Sequence, residues 1–143
     1  MGPTGRRLRT SSGRIEIRTS PVVDASAFVR GLLESEHPVR NHFRQAVAPE
    51  LALVEVAQAL MRYVRSGLLP RERADIAFTD LLALPVRLRP LDELVADAFE
   101  VSLRLNISTY DACYLVLAER TEAVLVTADR RLAALATRSE LVA

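Results

Sequence analysis

From residue 21 onward the hydrophobic positions switch repeatedly between short continuous runs and stretches of helical spacing. Pro21-Val22-Val23-Asp24 reads as a short buried strand running into an acid. A helix with apolar positions Ala27, Phe28, Leu32 and Leu33 follows, for which Asp24 or Ser26 can serve as the cap. A short helix is expected over residues 39–45. Ala46-Val47-Ala48-Pro49 is too short for a helix and reads as a small strand whose proline begins the next helix. That helix, residues 50–66, is the clearest in the chain, with Gly67 as its stop and Pro70 preventing its continuation. The pattern continues with a helix over 71–82, a strand over 85–88 and helical spacing over 91–105. A helix then begins at Ser108 or Thr109 and runs to about Arg120, and a second apolar strand, 123–127, leads to Asp129. A short helix from Arg130 and a final apolar pair, Leu141-Val142, complete the chain. Strands separated by helices, with no hairpin signal, predict a mostly parallel central sheet covered on both faces, a three-layer α/β/α sandwich.

The 143 residues suffice for one domain with a proper core, expected over residues 20–143. Charge sets residues 1–19 apart. That segment holds Arg6, Arg7, Arg9, Arg14 and Arg18 against Glu16, so 5 minus 1 gives +4, while the remainder has 14 arginines against 17 acids, or −3. With Gly2, Pro3, Gly5, Ser11, Ser12 and Gly13 it reads as a basic, mostly mobile arm able to hold nucleic acid phosphates. All 19 basic residues are arginine, and the absence of lysine excludes a GxxxxGK[ST] phosphate loop. The single cysteine, Cys113, allows no internal disulfide and reads as a buried core thiol. With no apolar run near the ~20 residues of a membrane span and no signal-peptide pattern, the protein is expected to be soluble, cytoplasmic and free of membrane contacts.

Four acids change the picture. Asp24 and Asp129 each follow a strand and precede a helix, where aspartate is a favoured cap. Asp111 lies three residues after Ser108, as in a capping box, yet Tyr114, Leu115 and Ala118 put it on an apolar stripe. Glu55 sits in the second turn of its helix beside Leu51, Ala52 and Ala59, with Gln58 and Ala59 where a basic partner would stand. Carboxylates pushed inward without local cations must be protonated, paired with arginine or bound to a cation. If the two strands are central neighbours, all four can share the cleft at the carboxyl ends of the sheet. Oxygen donors alone favour Mg²⁺ or Mn²⁺ over zinc. His37 and His42 share no helix face and offer neither a zinc site nor a triad.

The segments Val22-Val23-Asp24-Ala25-Ser26, Ala48 to Leu60 around Glu55, Thr109 to Glu119 around Asp111, and Leu125-Val126-Thr127-Ala128-Asp129-Arg130-Arg131-Leu132 occur in an order that resembles the PIN-domain nucleases, most of all the VapC toxins of toxin–antitoxin pairs. The resemblance implies a Mg²⁺-dependent endoribonuclease with RNA as substrate, a small cognate antitoxin as inhibitor, and frequent homodimers. It implies Asp24 and Asp111 as the main metal ligands, Glu55 as their support, and Asp129 as a ligand of a second ion or a group that positions water. Ser26 and Thr127 match small polar positions beside the site, and Arg130 and Arg131 are candidates for holding substrate phosphate. Hydrolysis of this kind leaves 5′-phosphate and 3′-hydroxyl ends. The arm at 1–19 departs from the family pattern. A haloacid-dehalogenase-type enzyme would need a second acid where Ser26 stands, and a receiver domain would need lysine. The remaining alternative is an inactive PIN-like module that binds RNA or protein.

Overall fold

The computed structural model describes residues 6–9 and 15–143, with 6–9 and 15–18 described only through backbone pairing. Strands β1 (Arg6–Arg9) and β2 (Ile15–Arg18) pair antiparallel, with Arg6 opposite Arg18. The expectation of a mobile arm falls in part on residues 1–5 and 10–14, which lie outside the described residues.

The domain is built on a five-stranded sheet in the order β5-β4-β3-β6-β7, every neighbouring pair parallel. Its strands are β3 (Val22–Val23), β4 (Val47–Pro49), β5 (Arg87–Arg89), β6 (Leu125–Thr127) and β7 (Ser139–Leu141). The short apolar runs become the three central strands, β4, β3 and β6, buried at every residue, because strands covered on both faces carry continuous hydrophobic side chains. The edge strands β5 and β7 are polar and largely exposed, as edges must be to avoid pairing with other chains. The apolar pair at the end of the sequence turns out to mark this last strand, with Leu141 inside it and Val142 buried behind it.

Among the described residues six α-helices connect the strands: α1 (Ala25–Leu33), α2 (Leu51–Arg65), α3 (Arg71–Ala83), α4 (Val95–Leu105), α5 (Thr109–Thr121) and α6 (Arg130–Leu135). The expected helix over 91–105 is divided, Leu91–Glu93 forming a separate 3-10 turn before α4. The expected helix over 39–45 is a 3-10 helix, Pro38–Gln45, with the His37 ring accepting from the Val39 N–H. Right-handed crossovers put α1 to α3 on one face, since β3, β4 and β5 step in one direction, and α4 to α6 on the other, since the chain then reverses toward β6 and β7. This is the three-layer α/β/α sandwich. α1 gathers α2, α3 and the 3-10 helix, and α5 lies against β3, β4 and β6 with α4 packed on it.

The reversal of strand order falls between β3 and β6. Such a switch point opens a crevice at the carboxyl ends of the strands. The helices that follow β3, β4 and β6 start at that same edge, so α1, α2 and α6 begin there. α5, which leads back into β6, also starts there.

Candidate active site

Asp24 leaves β3 as the N-cap of α1. One carboxylate oxygen, Oδ1, accepts from the Ala27 N–H at 2.9 Å and from the Ser26 hydroxyl at 2.6 Å. The other accepts from the Thr127 hydroxyl of β6. Ser26 Oγ in turn accepts from the Ala128 N–H at 2.9 Å, and Thr127 Oγ1 from the Asp129 N–H at 3.0 Å. Two small hydroxyls therefore tie the ends of β3 and β6 together around one buried carboxylate. At 5% exposure Asp24 has no aqueous shell to spread its charge, and all its partners are neutral.

Asp129 is the N-cap of α6, accepting from the Arg131 and Leu132 N–H groups at 2.9 and 3.2 Å, and it is exposed. Asp111 stands in the first turn of α5, where Ser108 Oγ accepts from its N–H at 3.0 Å. Glu55, on α2, accepts through Oε1 from the Tyr114 hydroxyl of α5 at 2.8 Å. Tyr114 is buried, and its partner is 59 residues distant in sequence.

The four acids feel one another. Burial pushes the Asp24 carboxyl above its usual range and the charge of Asp129 adds to this, while the Ser26, Thr127 and Ala27 hydrogen bonds oppose it. Burial also raises Glu55, helped by Asp111 and Asp24 and opposed by Tyr114. Asp111 is raised by burial and by Asp129, against the pull of Ser108 and the Arg131 guanidinium. Among the described residues the ion pairs lie elsewhere, as in Arg30 with Glu34 and Arg120 with Asp97, and none includes these acids.

Such an arrangement stores repulsion that a cation relieves. Among the described residues no three His, Cys, Asp or Glu side chains stand close enough to form a finished cage. The donor set still fits a hydrated hard ion, because Mg²⁺ keeps several waters and needs only one or two carboxylates. An open trough of about 550 Å³ leads from Ser26, Glu55 and Ala128 between α1 and α2 toward Arg30, Glu34 and Tyr63. Arg130 and Arg131 are exposed beside Asp129, and Arg131 reaches the Asn106 carbonyl at 3.4 Å. The histidines are elsewhere, His42 bonding Glu140 at 2.8 Å and His37 the Ala143 carbonyl at 3.2 Å.

Tyr114 is the site residue that sequence reasoning missed. In the sequence it belongs to the apolar stripe around Asp111, and its one signal is a phenol three residues past an acid on the same helix face.

The family model for the PIN domain matches residues 22–137, from β3 through the end of α6. The chain belongs to the PIN-domain family. This PIN domain is 33% identical over 119 residues to Ribonuclease VapC3 of Pyrobaculum aerophilum, covering 78% of this chain and 91% of that one. It is 38% identical over 124 residues to Ribonuclease VapC3 of Mycobacterium tuberculosis, covering 80% and 89%. A crystal structure from Pyrobaculum aerophilum, PAE2754, superposes with a TM-score of 0.70 at 27% identity, over 86% of this chain and 90% of that one. The fold, its length and its relatives together make it a PIN domain of the VapC type.

Proposed function

We propose that this chain is a Mg²⁺- or Mn²⁺-dependent endoribonuclease, the toxin of a VapBC-type toxin–antitoxin pair, acting in the cytoplasm. The observation that carries the reading is the gathering of Asp24, Glu55, Asp111 and Asp129 at the sheet's switch point without a paired arginine among the described residues, in a chain whose relatives are named as VapC ribonucleases. Asp24 and Asp111 would hold the ion, Glu55 would support it, and Asp129 would favour a second ion or the attacking water. When bound, the ion would supply Lewis-acid activation of water and neutralise charge on the scissile phosphate.

The protein's own part is positioning. Ser26, Thr127 and the Ala27 N–H fix both Asp24 oxygens, so little reorganisation remains for binding. Arg130 and Arg131 on the rim would hold backbone phosphate, and the trough between α1 and α2 gives an RNA strand a path away from the acids. Because the 2′-hydroxyl is not needed, the products carry 5′-phosphate and 3′-hydroxyl ends.

The partners are an RNA substrate, a cognate antitoxin and a second copy of the chain. Val95, Phe99 and Leu103 form an exposed apolar stripe along α4, which supports self-association. Phe99→Glu is expected to convert a dimer to a monomer in light scattering, and a wild-type monomer would remove the dimer from the account. Induction in cells followed by mapping of RNA 5′ ends tests the activity. New ends should appear with the wild type and not with Asp24→Ala. If the alanine variant keeps the effect on growth, or RNA is bound without new ends, the chain is a binding module.

A further inference from the structure

Tyr114 has an environment that a core tyrosine does not require. Its ring is 2% exposed within α5, and its hydroxyl could have been satisfied by any nearby carbonyl. Instead it donates at 2.8 Å to Glu55, across from α2. This buried hydrogen bond joins α5 to α2 at the edge of the sheet where the acids meet.

The consequence concerns one side chain. Glu55 is half-buried in the second turn of a long helix, with no arginine bound to it among the described residues and Tyr114 as its hydrogen-bond partner there. A glutamate has three rotatable bonds, and its carboxylate repels both Asp111 and Asp24. Left alone, it would swing outward toward the solvent of the trough that it lines. The phenol opposes that swing and occupies Oε1, which leaves Oε2 as the oxygen free to face an ion or its water.

We propose that Tyr114 is a positioning residue that holds Glu55 inward and limits it to one oxygen toward the divalent ion. This rests on the reading of Glu55 as support for that ion. The phenol touches neither ion nor substrate and acts only through Glu55, which separates it from a residue that merely fills the core: its effect must vanish when Glu55 can no longer serve.

The test is a double-mutant cycle with Tyr114→Phe, Glu55→Gln and the pair, read by Mn²⁺ affinity from electron paramagnetic resonance and by RNA cleavage. Tyr114→Phe is expected to weaken Mn²⁺ binding by about 5- to 20-fold, the scale of one net side-chain hydrogen bond, and to add less than about 2-fold in the Glu55→Gln background. Equal effects in both backgrounds, or none in the wild type while Glu55→Gln weakens binding, would overturn the proposal. If Glu55→Gln itself changes neither readout, the ligand reading of Glu55 fails and the proposal with it. A second measurement keeps the phenol in place and so does not depend on how Tyr114→Phe folds. The chain has three tyrosines and no tryptophan, and Tyr63 and Tyr110 are exposed, so Tyr63→Phe/Tyr110→Phe leaves Tyr114 as the lone emitter. Its fluorescence should change on Mg²⁺ saturation, and Glu55→Gln should remove that change. Emission that ignores Mg²⁺ at saturating concentration would contradict the coupling.

Discussion

Asp24 shows how a single residue serves fold and site at once. Its carboxylate caps α1 and anchors Thr127 of the neighbouring strand, and its burial raises its pKa. Its pKa in the folded protein lies above the unfolded value, so ionisation penalises the folded state above that raised pKa, and the penalty fades as pH falls toward the ordinary carboxylate range. In EDTA, Asp24→Asn, which can still cap, is expected to melt higher than the wild type at neutral pH. The gap should close as the pH approaches 4, near the unfolded value. Calorimetry across that range checks the sign, and a gap that widens on acidification would refute the burial argument. Thr127→Val should act oppositely. It leaves a buried carboxylate oxygen and the Asp129 N–H without their partner, at a cost of about 1–3 kcal/mol in urea unfolding.

Elements explain what could be read beforehand and what could not. The strand-to-helix passages at Asp24 and Asp129 were legible because a few apolar residues followed by a capping acid leave a local trace. Glu55 and Asp111 were legible from helical angles, since an acid on an apolar stripe contradicts the pattern around it. Tyr114 was not, because a phenol fits an apolar stripe and its partner sits on another helix. The break before α4 was also hidden, as the apolar spacing runs through Leu94 while the backbone does not. The packing of α1 on the 3-10 helix was invisible too: a Cβ on Gly31 would lie 2.3 Å from the Phe43 ring and 2.9 Å from Val39. Gly31→Ala is therefore expected to destabilise by about 1–3 kcal/mol through overpacking, measured by urea unfolding. At α6 the cap and the charge of Asp129 can be separated. Asp129→Asn should retain the helix and lose cleavage, whereas Asp129→Ala should also lose about 0.5–2 kcal/mol of stability. If the asparagine variant cleaves normally, Asp129 is only a cap.

At the scale of the whole molecule, the decisive fact is strand order. Sequence reasoning could bring the four acids together only on condition that the two acid-bearing strands were central neighbours, and β3 and β6 are adjacent with Val23 in register with Val126. No local pattern encodes that adjacency, which follows from crossover handedness and from burying the most apolar strands at the centre. The fold thus concentrates negative charge at one edge while the described ion pairs hold other surfaces. Purified protein with end-labelled RNA tests this account most directly, with Mg²⁺ or EDTA and with Asp24→Asn as control, followed by analysis of the product termini. The account predicts 5′-phosphate and 3′-hydroxyl ends that require Mg²⁺ and disappear in the variant. Cleavage that persists in EDTA, or products ending in 2′,3′-cyclic phosphate, would contradict it.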